Sequence, residues 1–114
     1  MNEKVGEIDD AILAFTLGET VEALRILSQL TEIQPESIDV WRALAEVQLS
    51  IGKTHEAERA CLKALEINSE DLTSMVSLAR ILVKKGDKEG AEEASAKARV
   101  LGWKEELAQE NEDG

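Results

Sequence analysis

Gly18, Gly52 and Gly86 stand 34 residues apart in a chain of 114, and no other feature constrains the fold as tightly. Ala11, Ala45 and Ala79 keep the same spacing, and so do Ala23, Ala57 and Ala91. Such self-similarity marks an array in which each unit is one supersecondary element that buries its apolar face only against its neighbours. Three units fit, over residues 4–37, 38–71 and 72–105, followed by a cap and acidic tail over 103–114.

Each unit reads as two helices around its glycine. Trp41, Leu44, Ala45 and Gln48 fall at i, i+3, i+4 and i+7, one face of a helix, and Met75, Leu78, Ala79 and Leu82 repeat the pattern. The glycine suits a helix end because it accepts left-handed backbone. Thr20, Thr54 or Asp87 follows it, each able to accept a hydrogen bond at the start of the next helix. Second helices then run to about Ile33, Ile67 and Leu101. No stretch alternates with period two, so strands are not expected. Gly102 is expected to end the sixth helix, and a short seventh, with Trp103 and Leu107 at i and i+4, is expected to cap the open end of the stack. Glu110–Gly114 has no apolar residue and is expected to be disordered.

The pattern Trp41-x-x-Leu44-Ala45-x-x-Gln48, then Ala57-x-x-x-Cys61, Ala64 and Ser69, resembles the tetratricopeptide repeat. Gln48 replaces the family's usual Tyr, Cys61 its Phe and Ser69 its Pro, whereas the first unit keeps Pro35. The resemblance covers residues 4–105. It implies an all-α, right-handed superhelix of three helix-turn-helix units whose first helices line a concave groove that binds peptides or partner proteins. Some family members grip a chaperone's C-terminal carboxylate with Lys, Asn and Arg. At the matching positions this chain carries Ile8, Ile12, Ala43, Thr73 and Ser77, so that clamp is discarded.

Catalysis has little to stand on. His55 reads as an exposed turn residue, and Cys61 takes an inward helical position off its face. Buried thiols are inert because the thiolate is the reactive form. The acidic pairs are adjacent in sequence and so point apart on a helix. No phosphate loop, Cys-x-x-Cys or His-x-x-x-His occurs. The expectation is no catalytic residue, no metal and no cofactor. A net charge of −11 opposes a nucleic-acid partner. The start of the sequence lacks a basic leader with an apolar run, and nothing reaches membrane-span length, so a soluble cytoplasmic protein is expected.

The groove is the better candidate. Its stripe is Ile8, Ile12 and Phe15 in the first unit, Arg42, Glu46 and Leu49 in the second, and Val76, Arg80 and Val83 in the third, with Lys84 beside it. The first three residues either line the concave face or pack within their own unit. The arginines either face the groove or pair with Glu46 or Asp39. By charge, 1–37 holds eight acidic and two basic side chains, 38–71 seven and four, and 72–105 five and seven. A protein or peptide partner with apolar anchors, and an acidic group near Arg42, Arg80 and Lys84, is the leading expectation. The alternative is a structural, homodimeric repeat protein. It would bury its first helix (Val5, Ile8, Ile12, Phe15, Leu17) or its Trp103 end against a second copy.

Overall fold

The computed structural model describes residues 6–113; Val5 lies outside them. Six helices follow one another: α1 Ile8–Thr16, α2 Thr20–Ile33, α3 Ile38–Ser50, α4 Thr54–Ile67, α5 Leu72–Lys85 and α6 Lys88–Asp113. No strand occurs among the described residues.

The periodic glycines make the hairpins. Gly18, Gly52 and Gly86 have φ of 83°, 80° and 81°, and the residue after each closes the turn. Glu19 N–H donates to the Ala14 carbonyl at 2.8 Å, Lys53 to Gln48 at 2.9 Å and Asp87 to Leu82 at 2.9 Å. This is one C-terminal closure used three times, satisfying carbonyls that a helix end would leave open. The periodic alanines are what let the hairpins shut. Ala11, Ala23 and Ala57 are wholly buried, and Ala45, Ala79 and Ala91 nearly so.

The helix starts differ from expectation in part. Thr20 and Thr54 are the first residues inside α2 and α4, not their caps, and neither helix has a side-chain cap. Asp87 does cap α6, accepting from Gly90 N–H at 2.9 Å. At the start of α1 the Asp10 carboxylate accepts the Glu7 N–H at 2.8 Å.

Hairpins α1–α2, α3–α4 and α5–α6 stack in order, α2 on α3 and α4 on α5. Helices α1, α3 and α5 also touch in sequence, whereas α2, α4 and α6 do not approach one another. The first helices therefore form the inner side of a curved stack 52 × 39 × 25 Å in extent.

The separate seventh helix is not present. Helix α6 runs through Gly102 without a break, and residues 110–113 continue it. Trp103 and Leu107 are each 59% exposed, so they do not cap the stack. The cap is α6 itself. Where the first two units bury Leu27 and Cys61, the third carries Ser95, and where the second has Leu65 the third has Arg99, both exposed. A polar face of this kind ends an array without further cover.

Trp41 lies beside the linker that joins the first two units, half-buried against the core. Its indole N–H donates to the Pro35 carbonyl at 2.9 Å, and its ring borders a crevice shared with Ala60 and Lys63 of α4. Trp41→Ala should cost about 2–3 kcal/mol, less than a fully buried aromatic because one edge already faces water. Trp41→Phe should recover all but the ~1 kcal/mol of the hydrogen bond. Chemical denaturation of the two variants checks both values.

Candidate functional site

The inner side of the stack opens into a groove of about 450 Å³ between α1 and α3. Ile8, Ile12 and Phe15 recur at i, i+4 and i+7, so they share one face of α1 and form one wall. Asp39, Arg42, Ala43 and Glu46 form the other. The floor is core: Ala11, Leu27 and Val47 are at most 3% exposed. Ile12 is 50% exposed, while Ile8 and Phe15 are half-buried and pack on the core as well as facing the groove. Ile8 and Phe15 therefore combine core packing with a place on the groove wall, and Ile12 is the most exposed of the three.

Five of the anticipated residues, Ile8, Ile12, Phe15, Arg42 and Glu46, converge here, and the others divide. Leu49 is 5% exposed and belongs to the core, which corrects its assignment to the groove surface. Val76 is 42% exposed on α5. Val83 borders a separate hollow with Ala91 and Ser95 at the far end of the stack. Lys84 is exposed in the last turn of α5.

The arginines are engaged inside the protein. The Arg42 guanidinium forks onto the Asp71 carboxylate, Nε to Oδ2 at 2.9 Å and Nη2 to Oδ1, and Nη1 reaches Asp39 at 2.8 Å. Asp71 is buried and caps α5, accepting from Ser74 N–H at 3.0 Å and Ser74 Oγ at 2.5 Å. The Arg42 guanidinium and these Ser74 bonds hold the Asp71 carboxyl below the usual carboxylate range despite its burial. Glu46 accepts from Ser77 Oγ at 2.9 Å and pairs with Arg80 at 3.2 Å. Lys85 joins Glu58 at 2.6 Å and Lys104 joins Glu70 at 2.8 Å. The Asp71–Ser74, Glu46–Ser77, Glu46–Arg80, Glu58–Lys85 and Glu70–Lys104 ties join the second unit to the third, whereas Arg42 pairs within the second unit.

Pairing of the arginines with Asp39 and Glu46 was one of the two readings the sequence allowed, whereas the Arg42–Asp71 fork and the Lys85–Glu58 and Lys104–Glu70 pairs were not anticipated, although part of the signal was present. Glu46 and Arg80 are 34 residues apart, as are Glu70 and Lys104. Opposite charges at equivalent positions of consecutive units meet when the units stack.

Cys61 is 2% exposed, and burial pushes its thiol up to about 12, so the nucleophilic form is not populated near neutrality. His55 is exposed in the first turn of α4. No group of three or more His, Cys, Asp or Glu among the described residues is placed to hold a metal ion. No helix among them is long and apolar enough to cross a membrane.

Residues 14–71, half of the chain, match the family model of the tetratricopeptide repeat. No curated protein matches the sequence. Among solved structures, MamA is similar with a TM-score of 0.78 at 18% identity, over 82% of this chain and 51% of that one. The chain thus spans about half the length of MamA. The type III secretion translocator chaperone SycD of Yersinia enterocolitica, crystallised as an alternative dimer, gives 0.79 at 16% identity, over 90% and 81%. The second TPR of Spaghetti (RPAP3), bound to the HSP90 peptide SRMEEVD, gives 0.78 at 17% identity, over 82% and 86%.

Proposed function

The chain belongs to the tetratricopeptide repeat family, and from that premise we propose that it is a non-enzymatic interaction module or scaffold seating a partner peptide or helix between α1 and α3. The observation that carries the reading is the convergence of Ile8, Ile12 and Phe15 over a buried floor. An apolar wall of this kind, on the inner side of a stack, suits a helix or peptide presenting regularly spaced anchors. The α5 residues Val76, Arg80, Val83 and Lys84 extend the surface beyond the groove itself. The Spaghetti neighbour is bound to a peptide ending in Glu-Glu-Val-Asp. Here Ile8 and Ile12 supply apolar surface instead of a carboxylate clamp, so a different class of segment is expected.

Ile12 is exposed enough to be changed without disturbing the core. Ile12→Asp should leave the circular dichroism spectrum and thermal midpoint in place. It should weaken a partner captured from native lysate by tenfold or more, as expected for losing roughly 1.5–3 kcal/mol of side-chain burial. Calorimetry with the captured partner reads the change. Equal affinity for both forms would place the binding surface elsewhere.

A second reading, self-association, is favoured by one observation. Val100, Trp103 and Leu107 are 48%, 59% and 59% exposed and lie at i, i+3 and i+7 of α6. A homodimer would cover that stripe. Light scattering over a wide concentration range decides it: Trp103→Glu with Leu107→Glu should convert a dimer to a folded monomer, and a wild-type chain monomeric throughout would remove the reading.

A further inference from the structure

We infer that the segment seated between α1 and α3 carries lysine or arginine beside its apolar anchors, an inference that rests on the groove reading above. An acidic group was the natural expectation from Arg42 and Arg80 in sequence, but both guanidiniums are already answered. Arg42 is forked onto Asp71 and reaches Asp39, and Arg80 is paired with Glu46. An incoming carboxylate would have to displace a carboxylate built into the fold, with no net gain of charge-assisted bonds.

The pairing is not symmetrical: Arg42 has committed Nε, Nη1 and Nη2, whereas each oxygen of an ionised carboxylate can accept a further donor, so what the groove still offers a ligand is negative. Asp9 stands on the α1 wall and makes no ion pair among the described residues. Asp39 and Glu46 stand on the α3 wall on either side of Ala43, their side chains 70% and 43% exposed. The groove lining thus holds three carboxylates, Asp9, Asp39 and Glu46, and one guanidinium, Arg42. The first unit adds to the imbalance, since residues 1–37 carry eight acidic and two basic side chains. A cleft lined by one sign of charge raises the local concentration of the opposite sign and speeds encounter.

The spacing defines the partner further. Asp39 and Glu46 are seven positions apart, about 10 Å along α3 at 1.5 Å per residue. A helix with basic residues at i and i+7 and apolar residues between them matches both walls: its anchors meet Ile8, Ile12 and Phe15, and its cations meet Asp39, Glu46 and, across the groove, Asp9. The partner class is therefore a basic amphipathic segment.

The test is selection from a displayed random-peptide library on the full chain, followed by calorimetry with synthetic copies of the selected peptides. Leucine, isoleucine or phenylalanine interleaved with lysine or arginine should be enriched. Binding of those peptides should weaken at least tenfold with Ile12→Asp. It should fall about fivefold with Asp9→Asn, which leaves both arginine pairs intact, and further with Asp9→Asn plus Asp39→Asn, the size expected of exposed ion pairs. It should also weaken as salt is raised. Peptides that depend on Ile12 but are acidic or neutral, or are indifferent to the Asn variants, would overturn the basic-partner inference and leave the groove standing. Absence of any peptide sensitive to Ile12→Asp would overturn both.

Discussion

Leu27→Ala should cost about 3–4 kcal/mol, the upper part of the range for deleting a buried leucine whose surroundings cannot collapse. Leu27 is 1% exposed, in a core that α1, α2, α3 and α4 share with Ile81 of α5, and it also forms part of the groove floor. Its neighbours there include Ala11 and Ala23, which are too small to fill the void. With about 4 °C per kcal/mol for a domain of this size, the thermal midpoint should fall by roughly 12–16 °C. The loss should also be uneven. The α5–α6 hairpin has a second apolar cluster of its own, built on Met75, Leu82, Ala94 and Leu101. Amide exchange should therefore rise sharply in α1 and α2 and only weakly in α6, because coupling in an array decays from neighbour to neighbour. Uniform loss of protection would mean that the chain unfolds as a single block.

Asp71→Ala should cost about 2–3 kcal/mol. The change removes a helix cap, worth about 1 kcal/mol, and a forked partner of Arg42. The penalty stays below that of a sealed ion pair because the Arg42 side chain is 32% exposed and keeps Asp39. The same residue gives the stack a pH dependence. The folded protein holds this carboxyl below its usual value, through Arg42 first and then Ser74, whereas the unfolded chain protonates it near the ordinary aspartate value of about 3.9. The contribution is fully present above that value and is lost as pH falls through the lower, folded one. Thermal midpoints should accordingly decline below about pH 4 in the wild-type protein and decline less steeply in Asp71→Asn. A parallel acid response in the two proteins would show that other carboxylates govern it.

The recurring glycines and alanines made the architecture legible, because their roles are local. A left-handed helix end needs a residue without Cβ, and two helices that close on each other need small side chains, so the same residue types return every 34 positions. The end of α6 was misread for an equally local reason. Gly102 costs a helix interior only about 1 kcal/mol. The helix-forming run Lys104-Glu105-Glu106-Leu107-Ala108-Gln109 and the Lys104–Glu70 pair outweigh it. Depth is what periodicity does not encode. Phe15, Leu49 and Val83 are equivalent by count, yet the first is half-buried at the groove, the second is in the core and the third is 67% exposed. Their burial depends on whether a neighbouring unit follows, precedes or lies on both sides. The Arg42–Asp71 fork was hidden in the same way, since the two residues are 29 positions apart and meet only once α3 and α5 lie side by side.

The mutual contact of α1, α3 and α5, with α2, α4 and α6 held apart, gives the stack a one-sided elasticity. Tighter bending must press the inner helices together, and close-packed side chains resist compression. Flattening meets no such wall, because the outer helices have free space to travel before they touch. Its restoring force comes mainly from the inner apolar contacts and from the charged ties that span the second and third units. The Glu46–Arg80, Glu58–Lys85 and Glu70–Lys104 pairs stiffen the second and third units against flattening, and at the mouth between α1 and α3 apolar packing resists it.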